Sequence, residues 1–154
     1  MEISIIYTSK TGNTKEVAEL IEEELKAQGH ETTSVNIYNE PWNDHFVQRK
    51  QLIFFGSYTW GNGQLPEEMR RCLRSIIKEK RISLPDVAVF GTGEQMWPHY
   101  CRAVDEMAFH LSKITNVLGT LKIEQSPRGS QKHLPRLFVH QTLQEVERFV
   151  VNKS

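Results

Sequence analysis

The chain has 154 residues, which most simply form one domain over residues 1–154 that buries roughly 70% of the surface exposed by the unfolded chain. Its 19 Lys and Arg residues balance its 19 Asp and Glu residues, so the composition provides no general electrostatic attraction for nucleic acid. No basic leader opens the chain and no apolar run approaches the roughly 20 residues of a membrane helix, so we expect a cytoplasmic protein that contacts no membrane.

Apolar runs of strand length alternate with segments of helical periodicity along the chain. This alternation predicts a doubly wound α/β fold, in which helices cover both faces of a five-stranded parallel sheet to give three layers. The predicted strands are residues 2–7, 32–37, 51–56, 86–90 and 119–124. The predicted helices are residues 14–28, a helix starting at Pro66, residues 98–115 and residues 140–151, with an irregular segment at 126–135.

The two cysteines indicate neither a metal site nor a redox dithiol. Cys72 and Cys101 form no Cys-x-x-Cys pair and have no histidine at metal-ligand spacing. We therefore expect two reduced thiols in the core and no bound metal.

Three loops leave the carboxyl ends of predicted strands, where open parallel sheets bind their ligands. The first loop, residues 9–14, reads Ser-Lys-Thr-Gly-Asn-Thr and opens a helix. Its hydroxyl groups, its free backbone N–H groups and the positive end of the helix dipole suit a dianionic phosphate. The G-x-x-x-x-G-K-[ST] spacing of nucleotide triphosphatases is absent. A capped helix start without a ligand would use the same residue types, so the loop alone leaves both interpretations open.

The other two loops place aromatic residues among glycines. Trp60 lies beside two glycines in the loop at 57–65, and Trp97 follows two glycines in the loop at 91–99. A loop tryptophan covers an apolar group or exposes a wide ring to water. Two tryptophans on neighbouring loops could face each other across a planar ring. The alternative is a tryptophan folded back on its own loop beside a routine glycine turn.

With these three loops in this order, the chain resembles the flavodoxins, and specifically the short-chain flavodoxins of Gram-positive bacteria. The family's [ST]-x-[ST]-G-x-T phosphate loop is matched at residues 9–14, its Y-T-W-G-x-G loop at 58–63 and its G-[ST]-G-[DE] motif at 91–94. The resemblance covers essentially the whole chain. It implies a flavodoxin-like three-layer sandwich with strand order 2-1-3-4-5 and an FMN cofactor at the switch point of the sheet.

The resemblance also assigns roles to residues. In the family the first loop holds the FMN phosphate, and the positions of Trp60 and Trp97 stack on the two faces of the isoalloxazine, although tyrosine is usual at the second position. Gly61 matches the residue whose carbonyl turns toward flavin N5 on one-electron reduction. The cofactor-binding residues implied are Ser9, Lys10, Thr11, Gly12, Asn13, Thr14, Thr59, Trp60, Gly61, Asn62, Gly63, Gly91, Thr92, Gly93, Glu94, Trp97 and Tyr100.

The function implied is that of a low-potential one-electron carrier, which is not an enzyme and needs no catalytic residue. Its partners would be a flavodoxin/ferredoxin reductase and electron-accepting enzymes, and nothing in the sequence requires more than a monomer. Electron carriage of this kind depends on the flavin, whose potentials the protein tunes by hydrogen bonds and nearby charge.

Two features depart from the family pattern. Most flavodoxins are strongly acidic, whereas this chain is neutral and carries Asn62 and Gln64 at loop positions that could hold acids. We therefore expect the more negative of the two flavin potentials to be less negative than in acidic relatives. Lys10 is the second departure: it is either solvated, a positive charge near the phosphate, or a docking point for a partner.

Two other functions compete with electron carriage. An NrdI-like flavoprotein, which supports manganese-dependent ribonucleotide reductase by reducing oxygen, fits the phosphate loop and the neutral charge. The Tyr-Thr-Trp-Gly loop and Trp97 count against it. A signalling domain that keeps the fold without flavin would need acidic residues at the strand ends, and Ser57 follows Gly56 at the end of the third predicted strand instead.

Overall fold

The computed structural model of the protein describes residues 1–61, 63–94 and 100–153. The strands in these residues are β1 (Glu2–Tyr7), β2 (Glu31–Asn36), β3 (Leu52–Tyr58), β4 (Asp86–Gly93) and β5 (Val117–Glu124). They form one parallel sheet in the order β2-β1-β3-β4-β5, which confirms the strand order that the resemblance implied. The order reverses direction between β1 and β3, so a crevice opens at the carboxyl ends of these two strands.

Helices cover both faces of this sheet. They are α1 (Asn13–Ala27), α2 (Glu67–Arg74), α3 (Arg102–Ser112) and α4 (Leu134–Lys153), and α2 continues directly into a π-helical turn at Ser75–Glu79. Two short 3₁₀ turns lie at Asp44–Phe46 and Gly129–Gln131. None of the helices in the described part of the chain is long and apolar enough to cross a bilayer.

The core has two halves, one on each face of the sheet. Side chains of β1 alternate between them, because successive residues of a strand point to opposite faces. Ile3 and Ile5 pack with the buried stripes of α1 and α4, whereas Ile6 packs with those of α2 and α3. The central strand β3 is buried along residues 52–57, as expected for a strand covered on both sides. These layers confirm the predicted three-layer α/β sandwich.

Three strands are longer than predicted: β5 begins at Val117 instead of residue 119, and β3 and β4 extend at their carboxyl ends. β3 continues through Ser57 and Tyr58, and β4 continues to Gly93, so the loops expected to begin at Ser57 and Gly91 begin inside the sheet. The extra residues pair with each other, Tyr58 with Thr92, and β4 also pairs with β5 as far as Glu124. Pairing with β4 holds the end of β3 in register, and β3 and β5 on its two sides hold the end of β4.

Two helix boundaries also differ. The last helix begins at Leu134, six residues before the predicted start at residue 140. Pro135 lies in its first turn, where a missing backbone N–H costs nothing, so this proline does not exclude the helix. The third helix is described from Arg102 to Ser112 and ends before the predicted residue 115. Its predicted start at Pro98 lies outside the described residues.

Both cysteines are buried and unpaired, and we expect them to destabilise the fold at alkaline pH. Burial raises the pKa of Cys72 to about 12 and that of Cys101 to about 11, whereas the pKa of an exposed thiol is about 8.5. Below pH of about 8.5 both states keep the protons. Above it the unfolded chain releases protons that the folded protein retains, so the free energy of unfolding falls as the pH rises toward about 11.

Urea denaturation from about pH 7 to about pH 11 checks this prediction. In a Cys72→Ala/Cys101→Ala variant the fall should be shallower, whatever stability the variant has at neutral pH, because the two titrating thiols are gone. Equal slopes in the variant and the parent would contradict the prediction.

Candidate cofactor-binding site

A cleft of about 750 Å³ lies at the carboxyl ends of the central strands. Its volume falls in the range of small-molecule sites, about 300–1,000 Å³. Three segments that are distant in sequence meet there: the loop after β1, the loop after β3 and the end of β4. The described residues that line it are Lys10, Thr11, Asn13, Tyr58, Thr59, Trp60, Gly61, Gly63, Thr92, Gly93, Glu94, Cys101 and Gln125.

One end of the cleft is the amino terminus of α1. Gly12 precedes the helix with φ of 103°, a left-handed conformation that glycine adopts without strain. The buried Ser9 hydroxyl accepts a hydrogen bond from the N–H of Lys15, 3.0 Å away, and so caps the helix. Within the part of the chain that the structure describes, the N–H groups of residues 11–14 have no acceptor. Unpartnered N–H groups at a helix amino terminus suit an anion such as phosphate, because they can all donate to it.

Asn36, the last residue of β2, holds this loop in place. Its side-chain nitrogen donates to the carbonyl oxygen of Ser9 over 3.2 Å, and its side-chain oxygen accepts from the N–H of Ser9 over 3.0 Å. The same oxygen accepts from the N–H of Tyr38. Sequence reasoning missed Asn36. The available signal was its position at the end of a strand beside β1, where an amide can satisfy a neighbouring loop.

We expect Asn36→Ala to weaken FMN binding by up to about tenfold, because each lost hydrogen bond is worth about 0.5–1.5 kcal/mol and the loop loses its support. The affinity for riboflavin, which lacks the phosphate, should change less. Fluorescence titration of the apoprotein with both ligands measures the difference. The matched control is Asn39→Ala, an exposed asparagine three positions further on, whose side chain makes no hydrogen bond to the loop within the described part of the chain. Equal losses for FMN and riboflavin would contradict the prediction.

A buried pair of threonines connects the phosphate loop to β4. The hydroxyls of Thr14 and Thr92 share a hydrogen bond of 2.8 Å, and both side chains are almost completely buried. A hydroxyl has one proton and two lone pairs, so each threonine retains capacity for a further hydrogen bond. The pair therefore fixes the distance between the first turn of α1 and the end of β4, across which the cleft opens.

The other end of the cleft is the loop after β3. Trp60 is 49% exposed, an unusual position for so wide an apolar ring. Its N–H donates to the carbonyl oxygen of Gln64 and its carbonyl oxygen accepts from the N–H of Gln64, both over 2.8 Å. Gly61 and Gly63 lie inside this tight turn with positive φ values of 51° and 97°. The turn therefore presents the tryptophan ring on a closed, glycine-containing loop.

The carboxylate of Glu68 in α2 connects Tyr58, the last residue of β3, with Thr8, the first residue after β1. One oxygen of Glu68 accepts from the Thr8 hydroxyl over 2.7 Å and from the Tyr58 hydroxyl over 2.8 Å. Partial burial, together with the hydrogen bond and the negative charge of Glu68, raises the pKa of Tyr58, so this phenol stays protonated and remains a donor. Sequence reasoning missed Glu68, because the contact with Thr8 spans 60 positions.

The Lys10 side chain lies over the ring of Trp60. Its ammonium nitrogen lies 4.8 Å from the centroid of the Trp60 ring, within cation–π range, and both residues line the cleft. The Lys10 side chain is exposed, so this contact leaves open the three possibilities that the sequence offered: solvation, a charge near the phosphate and a docking point for a partner. The contact places one positive charge between the phosphate end and the aromatic end of the site.

We expect Lys10→Met to weaken FMN binding by about two- to fivefold at low ionic strength, since the cleft loses a positive charge that attracts the dianionic phosphate. Lys10→Arg, which keeps the cation, is the control and should bind nearly as the parent does. FMN titrations at low and high salt measure the effect, which should shrink as salt increases. An unchanged affinity of Lys10→Met at low salt would exclude this role.

The remaining predicted residues occupy several positions. Ser9, Gly12 and Thr14 belong to the phosphate loop without forming the wall of the cleft, and Thr59 and Glu94 form part of the wall. The Glu94 carboxylate accepts from the side-chain amide of Gln125 over 2.8 Å. Gln125 was not predicted, although a polar residue directly after β5 lies at the same edge of the sheet. Two of the predicted site residues, Asn62 and Trp97, lie outside the described ranges.

Three further positions are constrained by packing. Gly91 lies inside β4, where a side chain would meet Val104 and the carbonyl oxygen of Ser57. Gly93 faces the backbone nitrogen of Cys101, 2.9 Å from the place of a Cβ atom. Tyr100 packs against the half of the core under α2 and α3. At these positions the structure shows a packing role for the glycines and for the tyrosine.

A phosphate-type anion site and a half-exposed aromatic ring, on one cleft at the switch point of a doubly wound sheet, define a class of α/β proteins that bind a phosphorylated planar cofactor. The family model described as Flavodoxin matches residues 5–134. The chain belongs to the flavodoxin family. Members of this family bind FMN and transfer electrons, and the donors and the ring on this cleft fit that cofactor.

Individual relatives agree with this assignment. The chain is 30% identical over 133 residues to "Probable flavodoxin 2" of Bacillus subtilis, with 85% of this chain and 87% of the relative covered. It is 28% identical over 130 residues to the flavodoxin of Nitratidesulfovibrio vulgaris, with 82% and 86% covered. Among solved structures, oxidised Flavodoxin 2 from Bacillus cereus superposes with a TM-score of 0.84 at 30% identity, covering 94% of this chain and 99% of that one.

Proposed function

We propose that the protein binds FMN in this cleft as a single unit and carries electrons one at a time between a flavodoxin/ferredoxin reductase and electron-accepting enzymes. The observation that carries the proposal is the pairing of two features on one cleft. Four unpartnered N–H groups suit a phosphate at one end, and the Trp60 ring suits a flat apolar ring system at the other. FMN combines both groups in one molecule, and when bound it supplies the one-electron chemistry.

Some of these residues would bind FMN, and others would position the residues that bind it. The backbone N–H groups at the amino terminus of α1 would hold the phosphate. Asn36 and the Thr14–Thr92 pair fix the loop, and Trp60 would cover one face of the ring. The residues at 11, 12, 13, 59, 61, 63 and 91–94 would complete the site, together with Tyr100 and with Asn62 and Trp97 from outside the described ranges.

One-electron transfer by a bound flavin requires no general acid or base from the protein. Tyr58 donates a hydrogen bond to Glu68, and partial burial together with this bond raises the pKa of the phenol, so Tyr58 stays protonated at neutral pH. We further propose that the carrier acts as a monomer in the cytoplasm and exchanges electrons only with its redox partners.

The visible spectrum of the purified protein is the first test, followed by titration of the apoprotein with FMN and riboflavin. We expect a yellow protein that binds FMN much more tightly than riboflavin, because riboflavin lacks the group that the α1 terminus holds. A colourless preparation that does not bind added FMN would contradict the proposal.

A redox titration separates the carrier from its main rival. Two well-separated one-electron potentials support the carrier, and the lower potential should be less negative than in acidic flavodoxins because the chain has zero net charge. The neutral charge and the Ser-Lys-Thr-Gly-Asn loop favour the second candidate, an NrdI-like partner of ribonucleotide reductase. Overlapping potentials would support that candidate instead.

A further inference from the structure

A second concave surface lies between α2 with its π-turn and helix α3, and we call it the α2–α3 groove. Its volume is about 400 Å³. Apolar side chains form its floor, among them Leu73 and Ile77 from the α2 side and Ile114 just after α3. Ile114 is 43% exposed. An apolar floor that is open to water is a feature of surfaces that bind another molecule.

The walls of this groove are cationic. Arg70, Arg74 and Lys78 follow one another at intervals of four residues along α2 and its π-turn, and Lys113 lines the opposite wall. Among the described residues that line the groove, the single carboxylate is that of Glu106, which already pairs with Arg70 at 3.7 Å. Within the described residues, Arg74 and Lys78 have no carboxylate partner. Four cations against one carboxylate stand out in a chain whose net charge is zero.

The backbone of α2 changes where it forms this wall. The N–H of Lys80 donates to the carbonyl oxygen of Ser75 over 2.8 Å, the five-residue spacing of a π-helix. The π-turn runs over residues 75–79 and carries both Ile77 and Lys78, which line the groove. Single π-turns within helices occur frequently at functional sites, where they alter which side chains share a face.

The groove is continuous with the surroundings of the cofactor cleft. Leu65 and Arg70 line both the groove and an adjoining hollow, and Lys10 and Trp60 line both that hollow and the cleft. A molecule seated in the groove therefore lies beside the edge of the proposed FMN site. This continuity suits a partner that must approach the cofactor.

We propose that the α2–α3 groove docks an acidic segment of a partner protein, whose apolar side chains lie on Leu73, Ile77 and Ile114 and whose carboxylates pair with Arg74 and Lys78. The apolar floor favours a peptide over a small anion, because an inorganic anion gains nothing from it. The unpaired cations select acidic over basic segments and steer them toward the groove, mainly through the association rate. The docking depends on the groove, and only its redox purpose rests on the proposed function.

A peptide of alternating glutamate and leucine is the probe, with a lysine–leucine peptide of equal length as its counterpart. Each is titrated into the isotope-labelled, FMN-loaded protein and followed by amide NMR. We expect saturable shifts at Leu73, Ile77 and Ile114 with the acidic peptide only, and weaker binding as salt increases. Arg74→Glu/Lys78→Glu should weaken the binding by at least about tenfold, since two attractive contacts become repulsive.

Matched controls separate this effect from a general change of charge. Lys78→Glu is compared with Lys132→Glu, an exposed lysine before α4 that also has no carboxylate partner in the described chain. Only the first should weaken peptide binding, and FMN affinity, measured in parallel, should be unchanged in both. If FMN does not bind, the same titration on the flavin-free protein still tests the groove.

Three results would overturn the proposal. The first is equal binding of the lysine–leucine peptide, and the second is a set of shifts that lies outside the groove or is indifferent to Arg74→Glu/Lys78→Glu. The third is concentration-dependent shifts at the groove residues without any peptide. That last result would assign the groove to a second copy of this chain rather than to an acidic partner.

Discussion

Trp60→Ala is expected to weaken FMN binding by about tenfold to a hundredfold. Stacking of a flat heteroaromatic ring on an aromatic side chain is worth about 1–3 kcal/mol by alanine substitution, and 1.4 kcal/mol is a factor of ten in affinity. The Trp60 ring is half-exposed and lines the cleft, so its removal also uncovers the bound ring to water. Trp60→Phe keeps a stacking face and should recover most of the loss. Quenching of flavin fluorescence on binding measures all three affinities.

Trp42 provides a matched control for this prediction. Trp42 is partly buried against the core, and the Lys80 ammonium lies 5.1 Å from its ring centroid, so it shares with Trp60 a lysine over the ring. It lines a different hollow, on the far side of α2, and not the cofactor cleft. Trp42→Ala should leave FMN affinity unchanged. An equal effect of the two substitutions would mean that affinity follows general destabilisation, and Trp60 would then have no stacking role.

The parts of the site that the sequence predicted are those whose chemistry is local. The phosphate loop concentrates its hydroxyls, its glycine and its helix start within residues 9–14, so its composition narrows the interpretation to an anion site or a capped helix start. Trp60 between a strand and a glycine turn is local in the same sense. These signals require no knowledge of which strands are neighbours.

The supporting residues could not be predicted in this way. Asn36 contacts Ser9 across 27 positions, and Gln125 contacts Glu94 across 31. Each contact depends on the register of paired strands, because a shift of one residue would turn these side chains to the opposite face. The helix that begins at Leu134 was misplaced for another reason. Apolar periodicity detects the buried stripe, whereas the start of a helix is set by backbone partners that the pattern does not record.

Gly56→Ala is expected to lower the free energy of unfolding by about 1–3 kcal/mol or more. Gly56 lies in the central strand β3, and an added Cβ atom would overlap the ring of Phe90 on β4. Phe90 is completely buried, so its ring has no space into which it can move. Urea denaturation of the apoprotein measures the loss. Gly119→Ala is the control in β5, because its Cβ would lie 3.4 Å from the Phe138 ring, which allows a small adjustment.

A double-mutant cycle shows whether the Phe90 ring is the obstacle. Phe90→Leu replaces the flat ring with a smaller, branched side chain and destabilises the protein by itself, but it frees space above Gly56. Gly56→Ala should then cost less in the Phe90→Leu background than in the parent, by about 0.5–3 kcal/mol. Because the pair lies two residues before Tyr58 and Thr92 on β3 and β4, its packing sets how closely the two strand ends that form the cleft approach each other. Additive losses would instead assign the requirement for glycine to the backbone of β3.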